Sequence, residues 1–212
     1  MKAPRQSVRK PAEGLRERKR RETRDRITQA AMALFLAQGF DATTVDEIAT
    51  DANVSKRSFF DYFPTKEDVV AAWQDAFGDT LVAAVTARPA GEPLVTVVEE
   101  AMKSTIATAL ADPQSFAIGQ LIHDTPALRA RDQLKYAKLE EQLGEVLAAR
   151  VKGEAERVRA RLLAMIVIGS MRIGNEALPA RKRSESLQAY ADKIFGTIWA
   201  DLAEFGRSAG RR

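Results

Sequence analysis

The chain has 212 residues, of which 45% are hydrophobic and 29% are charged, with no cysteine and a single histidine. This composition can form a buried core, and it excludes disulfides, thiolate nucleophiles, cysteine-ligated zinc and any site that needs several histidines. The net charge of +4 is concentrated in residues 1–66, which hold 14 basic and 9 acidic residues, so this end favours a polyanionic partner, although a merely solubilising tail has the same charge.

Apolar residues recur at three- and four-residue spacing without alternating runs, so the pattern predicts an all-α protein of about nine helices. No apolar run approaches the ~20 residues of a membrane helix, and we expect a cytoplasmic protein with no membrane contact. Residues 1–19 are interpreted as a basic arm that we expect to be disordered. The first helix is predicted over residues 23–38, with Gly39 ending it.

The next two predicted helices are short and are separated by a tight turn. Thr44 and Glu47 match a T-x-x-E capping box that begins the second helix. Asn53 tolerates the left-handed conformation of a tight turn, and Ser55 is a favourable N-cap for a third helix that Pro64 ends. Two short helices joined in this way are typical of a helix-turn-helix, whose second helix enters the major groove of DNA.

Six longer helices are predicted after this unit. Asp112-Pro113 and Thr125-Pro126 each combine an N-cap residue with proline at the first helical position, and Ser184 is predicted to cap the last helix. The predicted ranges are residues 66–88, 93–111, 113–123, 126–151, 154–178 and 185–205.

Contiguous motifs across residues 20–70 give the chain a resemblance to the N-terminal domain of the TetR/AcrR family of transcription regulators. The motifs are F-x-x-x-G-F/Y from Phe35 to Phe40, T-T/S-V-x-x-I-A over residues 43–49 and F-x-x-K-E over residues 63–67. The resemblance implies a homodimer that places one third helix per subunit in the major groove of a partly palindromic double-stranded operator. After the basic arm of residues 1–19, it implies a DNA-binding domain over residues 20–67 and a helical effector-binding and dimerisation domain over residues 68–212.

The resemblance also implies which side chains contact DNA. Thr44, Tyr62 and Lys66 are expected at phosphates, and residues 55–58 are expected in the groove, where the Arg57 guanidinium suits bidentate recognition of guanine. Phe60 departs from the family, in which tyrosine is frequent, so it has no hydroxyl for a phosphate. The alternative is that Lys56 and Arg57 are solvated surface charges. The full set is Thr44, Ser55, Lys56, Arg57, Ser58, Phe60, Tyr62 and Lys66.

Aromatic and polar side chains of the C-terminal part are candidates for an effector site, although the aromatic ones equally suit a core and the polar ones a surface. Residues 126–151 resemble the seventh helix of a TetR subgroup that includes mycofactocin-system regulators and is associated with acyl-CoA-like ligands. This resemblance implies an acyl-CoA or another long apolar effector. No cofactor or metal is expected. The candidates are Trp73, Phe77, Phe116, His123, Arg129 and Asn175.

The last two predicted helices carry broad apolar stripes at helical period. Together the stripes suit the four-helix dimer interface that the resemblance implies, and an intramolecular core is the alternative. The stripe of the eighth helix consists of Val158, Leu162, Met165, Ile166, Gly169 and Ile173, and that of the ninth of Leu187, Tyr190, Ala191, Ile194, Phe195, Ile198, Trp199, Leu202 and Phe205.

The resemblance implies a ligand-responsive DNA-binding repressor that a small apolar effector releases from its operator. One alternative is a DNA-binding protein without an effector, which predicts a solid core in place of a pocket. The other is an α-helical enzyme, which is disfavoured because the sequence contains no nucleotide-binding loop and no H-E-x-x-H or G-x-S-x-G motif.

Overall fold

The computed structural model of the protein describes residues 14–112, 114–178 and 186–209, with residues 198 and 201–209 given as backbone only. Over these ranges the chain forms nine helices and no strand, which confirms the predicted all-α class. The helices are α1 (Leu15–Gln38), α2 (Val45–Asp51), α3 (Lys56–Tyr62), α4 (Lys66–Ala87), α5 (Leu94–Ala111), α6 (Ser115–Asp124), α7 (Pro126–Ala148), α8 (Glu154–Ala177) and α9 (Leu187–Ala209).

The first helix begins earlier than the sequence pattern predicts. Because α1 starts at Leu15, residues 15–19 are helical, and the prediction of a disordered arm up to residue 19 is wrong for them. This turn of the helix is exposed and has no apolar period, but its Arg, Lys and Glu residues are good helix formers. An Arg18–Glu22 ion pair at 3.5 Å adds support across one turn. Residues 1–13 of the predicted arm lie outside the described residues.

Two other helix starts also differ from the prediction. The Asp112 carboxylate accepts hydrogen bonds from the Gln114 amide at 3.0 Å and the Ser115 hydroxyl at 3.2 Å, so it closes a turn and α6 begins only at Ser115. The Ser186 hydroxyl accepts from the Ala189 amide at 3.0 Å at the start of α9. Pro113 and the predicted cap at residue 184 lie outside the described residues.

The chain divides into two compact units, Met1–Val69 and Val70–Arg212. In the first unit, α1, α2 and α3 pack around three fully buried phenylalanines, Phe35, Phe59 and Phe63. Burial of each such ring contributes about 1.5–3 kcal/mol, so these rings fix how α2 and α3 are held. None of the described helices in either unit is long and apolar enough to cross a membrane.

The second unit has its own core, built mainly between α7 and α8. Gly144 lies in this contact, where a Cβ would meet the Ala164 Cβ at an ordinary van der Waals distance of 3.8 Å. The Arg150 guanidinium donates to the carbonyls of Val85 at 3.1 Å and Arg88 at 3.2 Å, which satisfies the C-terminal end of α4. The buried core residues are Leu81, Val85, Val97, Val98, Ala101, Met102, Tyr136, Leu139, Leu143, Leu147, Ala160, Ala164, Val167 and Ile168.

Candidate DNA-binding surface and effector cavity

The start of α2 is fixed by the predicted capping box. The Thr44 hydroxyl accepts from the Glu47 amide at 3.2 Å, and the Glu47 carboxylate accepts from the Thr44 amide at 2.8 Å. These hydrogen bonds from Thr44 stabilise the ionised carboxylate, so they hold the pKa of Glu47 below its usual range. Thr44 therefore orients the helix N-terminus, and its side chain is exposed beside the amides there.

The turn between α2 and α3 has the predicted geometry. Asn53 adopts a φ of 51°, which is the left-handed region that asparagine tolerates. The Ser55 hydroxyl accepts from the Ser58 amide at 3.0 Å and lies 2.9 Å from the Ser58 hydroxyl. The two serines thus cap α3 and place its first turn at the surface.

Helix α3 presents cationic side chains near its start and aromatic side chains near its end to the surface. Arg57 is exposed, and among the described residues no hydrogen bond or ion pair engages its guanidinium. Lys56 forms an exposed ion pair with Asp46 of α2 at 2.8 Å, which contributes little in water and is easily exchanged for a phosphate. Phe60 is 48% exposed, and Tyr62 is half-buried. These side chains form one outward surface, whereas Phe59 between them is buried.

The structure gives Lys66 a role beyond the one expected. Its ammonium donates to the carbonyl oxygens of Phe40 at 2.7 Å, Thr43 at 3.1 Å and Asp41 at 3.4 Å, and it lies 4.4 Å from the Phe40 ring centroid. An ammonium has three N–H donors, and all three are used. Lys66 therefore ties the loop after α1 to the start of α4, and its expected phosphate contact stays a prediction.

The N-terminal half of α1 contributes cations that the sequence motifs do not indicate. The Arg20 guanidinium lies 5.8 Å from the Tyr62 ring centroid, and the Arg24 guanidinium lies 5.3 Å from that of Phe63. Both distances fall within the range of cation–π contacts. The missed signal is the run of basic residues over 16–26, since the helical fold of this range brings Arg20 and Arg24 beside the end of α3.

A cavity of about 720 Å³ lies within the second unit, between α4 and the later helices. Its volume falls in the usual range of small-molecule sites, about 300–1,000 Å³. The six ligand-binding candidates from the sequence, which are spread over four helices and more than 100 residues, all line this one cavity. Trp73, Phe77 and Phe116 are half-buried in its walls, whereas His123, Arg129 and Asn175 are exposed.

The inner wall of the cavity contains buried polar side chains. The Gln74 side-chain amide donates to the Asp132 carboxylate at 2.6 Å, and the Asn175 side-chain amide donates to the Tyr136 hydroxyl at 3.1 Å. Both Gln74 and Tyr136 are more than nine-tenths buried. Buried polar groups are retained where they are hydrogen-bonded, so this cluster gives the cavity defined donors and acceptors.

One ion pair also belongs to the lining. The Lys135 ammonium lies 2.8 Å from the Asp132 carboxylate, with side chains only 18% and 19% exposed, and 4.5 Å from the Tyr136 ring centroid. Asp132 is therefore shared between Lys135 and Gln74. Sequence reasoning missed Gln74, Asp132 and Lys135, because a single polar residue on an otherwise amphipathic helix has no distinguishing pattern.

The two apolar stripes near the chain end lie in different surroundings. On α8, four large apolar side chains of the stripe are 45–61% exposed: Val158, Leu162, Met165 and Ile173. On α9, the described part of the stripe faces its own unit: Phe195 and Trp199 pack against the core, and Ile194 contacts Gly174. Trp199 is only partly buried there, so the expectation that it also lies on a dimer face stays a prediction. Ile198, Leu202 and Phe205 lie outside the described side chains.

Comparison with known proteins agrees with both units. The family described as bacterial regulatory proteins of the tetR family matches residues 27–73. The MftR C-terminal domain matches residues 92–203, which is more than half of the chain. The chain therefore belongs to the TetR family of bacterial transcription regulators. The match to the MftR C-terminal domain agrees with the resemblance of residues 126–151 to the subgroup of mycofactocin-system regulators. This membership sets aside the alternative of an α-helical enzyme.

Individual relatives support the same assignment. The chain is 34% identical over 144 residues to the HTH-type transcriptional regulator TcmR of Streptomyces glaucescens. The aligned region covers 65% of this chain and 64% of TcmR. It is 46% identical over 52 residues to the uncharacterized regulator YvkB of Bacillus subtilis, 24% of this chain and 28% of YvkB. The chain thus spans less than two thirds of these curated relatives.

The fold is shared with solved structures at low sequence identity. A TetR-family regulator from Syntrophomonas wolfei superposes with a TM-score of 0.59 at 14% identity, over 84% of this chain and 94% of that one. A family member from Mesorhizobium loti superposes with a TM-score of 0.52 at 25% identity, over 86% of this chain and 97% of that one. The helical architecture of both units is therefore that of the family.

Proposed function

We propose that the protein is a cytoplasmic transcriptional repressor that binds operator DNA through α3 and is released by a small, largely apolar effector. The observation that carries this proposal is the cavity in the second unit, because the alternative of an effector-free DNA-binding protein predicts a solid core there. The acyl chain of an acyl-CoA, or another long apolar molecule, suits its mainly apolar lining. No cofactor is required for binding or release.

The proposed DNA contacts follow from exposure on the first unit. Arg57 reads a guanine edge, since its guanidinium is exposed and matches the O6 and N7 acceptors. Lys56 exchanges Asp46 for a phosphate. Tyr62 and Arg20, which lie close together, hold the backbone beside the groove, and Phe60 makes apolar contact. Ser55, Ser58 and Thr44 contribute at the helix N-termini, where amide dipoles favour phosphate.

Release is proposed to be a shift of population. An effector that binds more tightly to a conformation with low operator affinity lowers DNA binding by that difference in affinity. Because α4 runs covalently from the first unit into the second, it is the chain segment through which the two sites communicate.

The test is fluorescence anisotropy with an operator duplex selected from a random pool, titrated with lauroyl-CoA and with 1-dodecanol. We expect at least one of these dodecyl probes to release the DNA. The matched control is Gly119→Trp, which fills the cavity from a position where a Cβ meets no atom within 4 Å. Gly119→Trp should bind the operator and resist release. If neither probe releases DNA from the unaltered protein, the effector-free alternative is favoured.

We further propose that the protein is a homodimer formed through α8 and α9. Val158, Leu162, Met165 and Ile173 are exposed on one face of α8, and a Cβ at Gly169 in the same face meets no atom within 4 Å. Exposed apolar stripes of this kind mark interaction surfaces, and a two-fold axis brings the same stripe of a second copy against it.

Leu162→Glu tests this interface, since it places a carboxylate in the middle of the stripe. Light scattering should show a change from the dimer to the 23.3 kDa of one chain. The matched control is Val95→Glu on α5, which replaces another exposed apolar side chain and should leave the dimer intact. A Leu162→Glu protein that remains dimeric would place the interface elsewhere.

A further inference from the structure

The chemical class of the effector can be read from the groups that line the inner cavity. Its one half-buried ion pair is already compensated, since Asp132 and Lys135 are 2.8 Å apart. A second anion inserted beside this pair would lose hydration without gaining an unpaired cation there, because Arg129, the other lysine or arginine of the described lining, is exposed to solvent. Burial of an uncompensated charge is costly. The inner cavity therefore disfavours a carboxylate, sulfonate or phosphate.

Two buried side chains still have hydrogen-bonding capacity to offer a ligand. The Gln74 amide donates to Asp132, and among the described residues nothing donates to its carbonyl oxygen. The Tyr136 hydroxyl accepts from Asn175, and within the same described part of the chain its own proton has no acceptor. An amide oxygen accepts and a phenol donates, so together they match a group that both donates and accepts.

Apolar side chains line the same cavity as this pair. Phe77, Ile122, Leu139 and Met171 belong to the same lining. Thr105 is also there, but its hydroxyl donates to the Ala101 carbonyl at 2.8 Å, so it leaves only an acceptor. The charged side chains Asp124, Arg129 and Glu176 of the lining are exposed to solvent. The part of a ligand that enters the buried region must therefore be apolar, with its polar group near Gln74 and Tyr136.

We propose that the effector's buried part is an uncharged apolar body with a hydroxyl group, which donates to Gln74 and accepts from Tyr136. This class rests on the proposed function, because it assumes that the cavity is the effector site. It includes neutral alcohols and phenols, and it excludes ligands that insert a free acid head first. Any charged part of a larger effector stays outside the inner cavity.

The test uses two probes with the same rings, 2-naphthol and naphthalene-2-sulfonate, titrated into the full chain by calorimetry. The neutral phenol should bind at least about tenfold more tightly than the sulfonate, since the sulfonate must be desolvated beside a compensated ion pair. Gly119→Trp should abolish 2-naphthol binding, and Gly119→Ala is its matched control.

Two variants separate the polar contacts from general apolar binding. Tyr136→Phe should weaken 2-naphthol by about 2- to 13-fold, the equivalent of one neutral hydrogen bond, and leave the sulfonate unchanged. Asp132→Asn leaves Lys135 without its carboxylate and should strengthen sulfonate binding. The control is Asp75→Asn, which breaks the Asp75–Lys138 ion pair of 2.7 Å between α4 and α7, outside the cavity lining.

The outcomes of this binding test can be told apart from those of the DNA-release test of the proposed function. A sulfonate that binds as tightly as 2-naphthol, or no detectable binding of 2-naphthol, would overturn the proposed class. So would 2-naphthol binding that Gly119→Trp leaves intact. Tight and selective binding of 2-naphthol supports the class even where the anisotropy experiment shows no release of operator DNA, and in that case only the proposed function fails.

Discussion

The two units of this protein present their functional groups in opposite ways. In Met1–Val69 the candidate DNA contacts lie mostly within residues 44–66 and point outward from a small aromatic core. In Val70–Arg212 the candidate ligand contacts come from four helices, and together with residues of two more helices they line one cavity. A surface built from one short segment is specified locally, whereas a cavity is specified only by how distant helices pack.

The largest expected effect comes from the first unit's core. Phe59→Ala removes a fully buried ring and should lower the free energy of unfolding of this unit by about 3–5 kcal/mol. Operator binding should be lost, whereas 2-naphthol binding should persist, because all residues lining the cavity belong to the other unit. Calorimetry and anisotropy measure the two activities, with exposed Phe60→Ala as the stability control. Loss of both activities would contradict the assignment of separate cores.

This contrast explains how much the sequence predicts. Thr44, Asn53 and Ser55 have roles that depend on the next three residues, so the capping box, turn and third helix were predicted close to their observed positions. The aromatic candidates Trp73 and Phe77 were found because cavity walls and cores use the same side chains. Gln74 and Asp132 were not predicted, since their role in the cavity depends on a hydrogen bond between residues 58 positions apart in sequence.

The next largest effect concerns base recognition by the outward surface. Arg57→Ala should lower the preference for operator over a scrambled duplex by about 1–3 kcal/mol. Lys56→Ala, one residue away, should weaken binding to both duplexes alike, because a phosphate contact carries no sequence information. Anisotropy with both duplexes at fixed salt measures this. Unchanged discrimination in Arg57→Ala would show that another side chain reads the bases.

A comparable or smaller effect is expected at the boundary of the first unit. Lys66→Met removes three hydrogen bonds from a half-buried ammonium to main-chain carbonyls and should destabilise this unit by about 1–3 kcal/mol in urea unfolding. Exposed Lys56→Met, with only its ion pair to Asp46, should cost less than about 1 kcal/mol. Unaltered stability with uniformly weaker DNA binding would instead support the phosphate-contacting role of Lys66.

Coupling between the two units is tested most directly by measuring ligand affinity with and without DNA. If cavity occupancy releases the operator, linkage requires that operator DNA weaken ligand binding by the same factor, typically about 5- to 150-fold. Calorimetric titration of 1-dodecanol into the free protein and into the protein saturated with operator duplex measures this factor. We predict weaker binding to the DNA complex. Equal affinity in the two titrations would contradict effector-controlled release through this cavity.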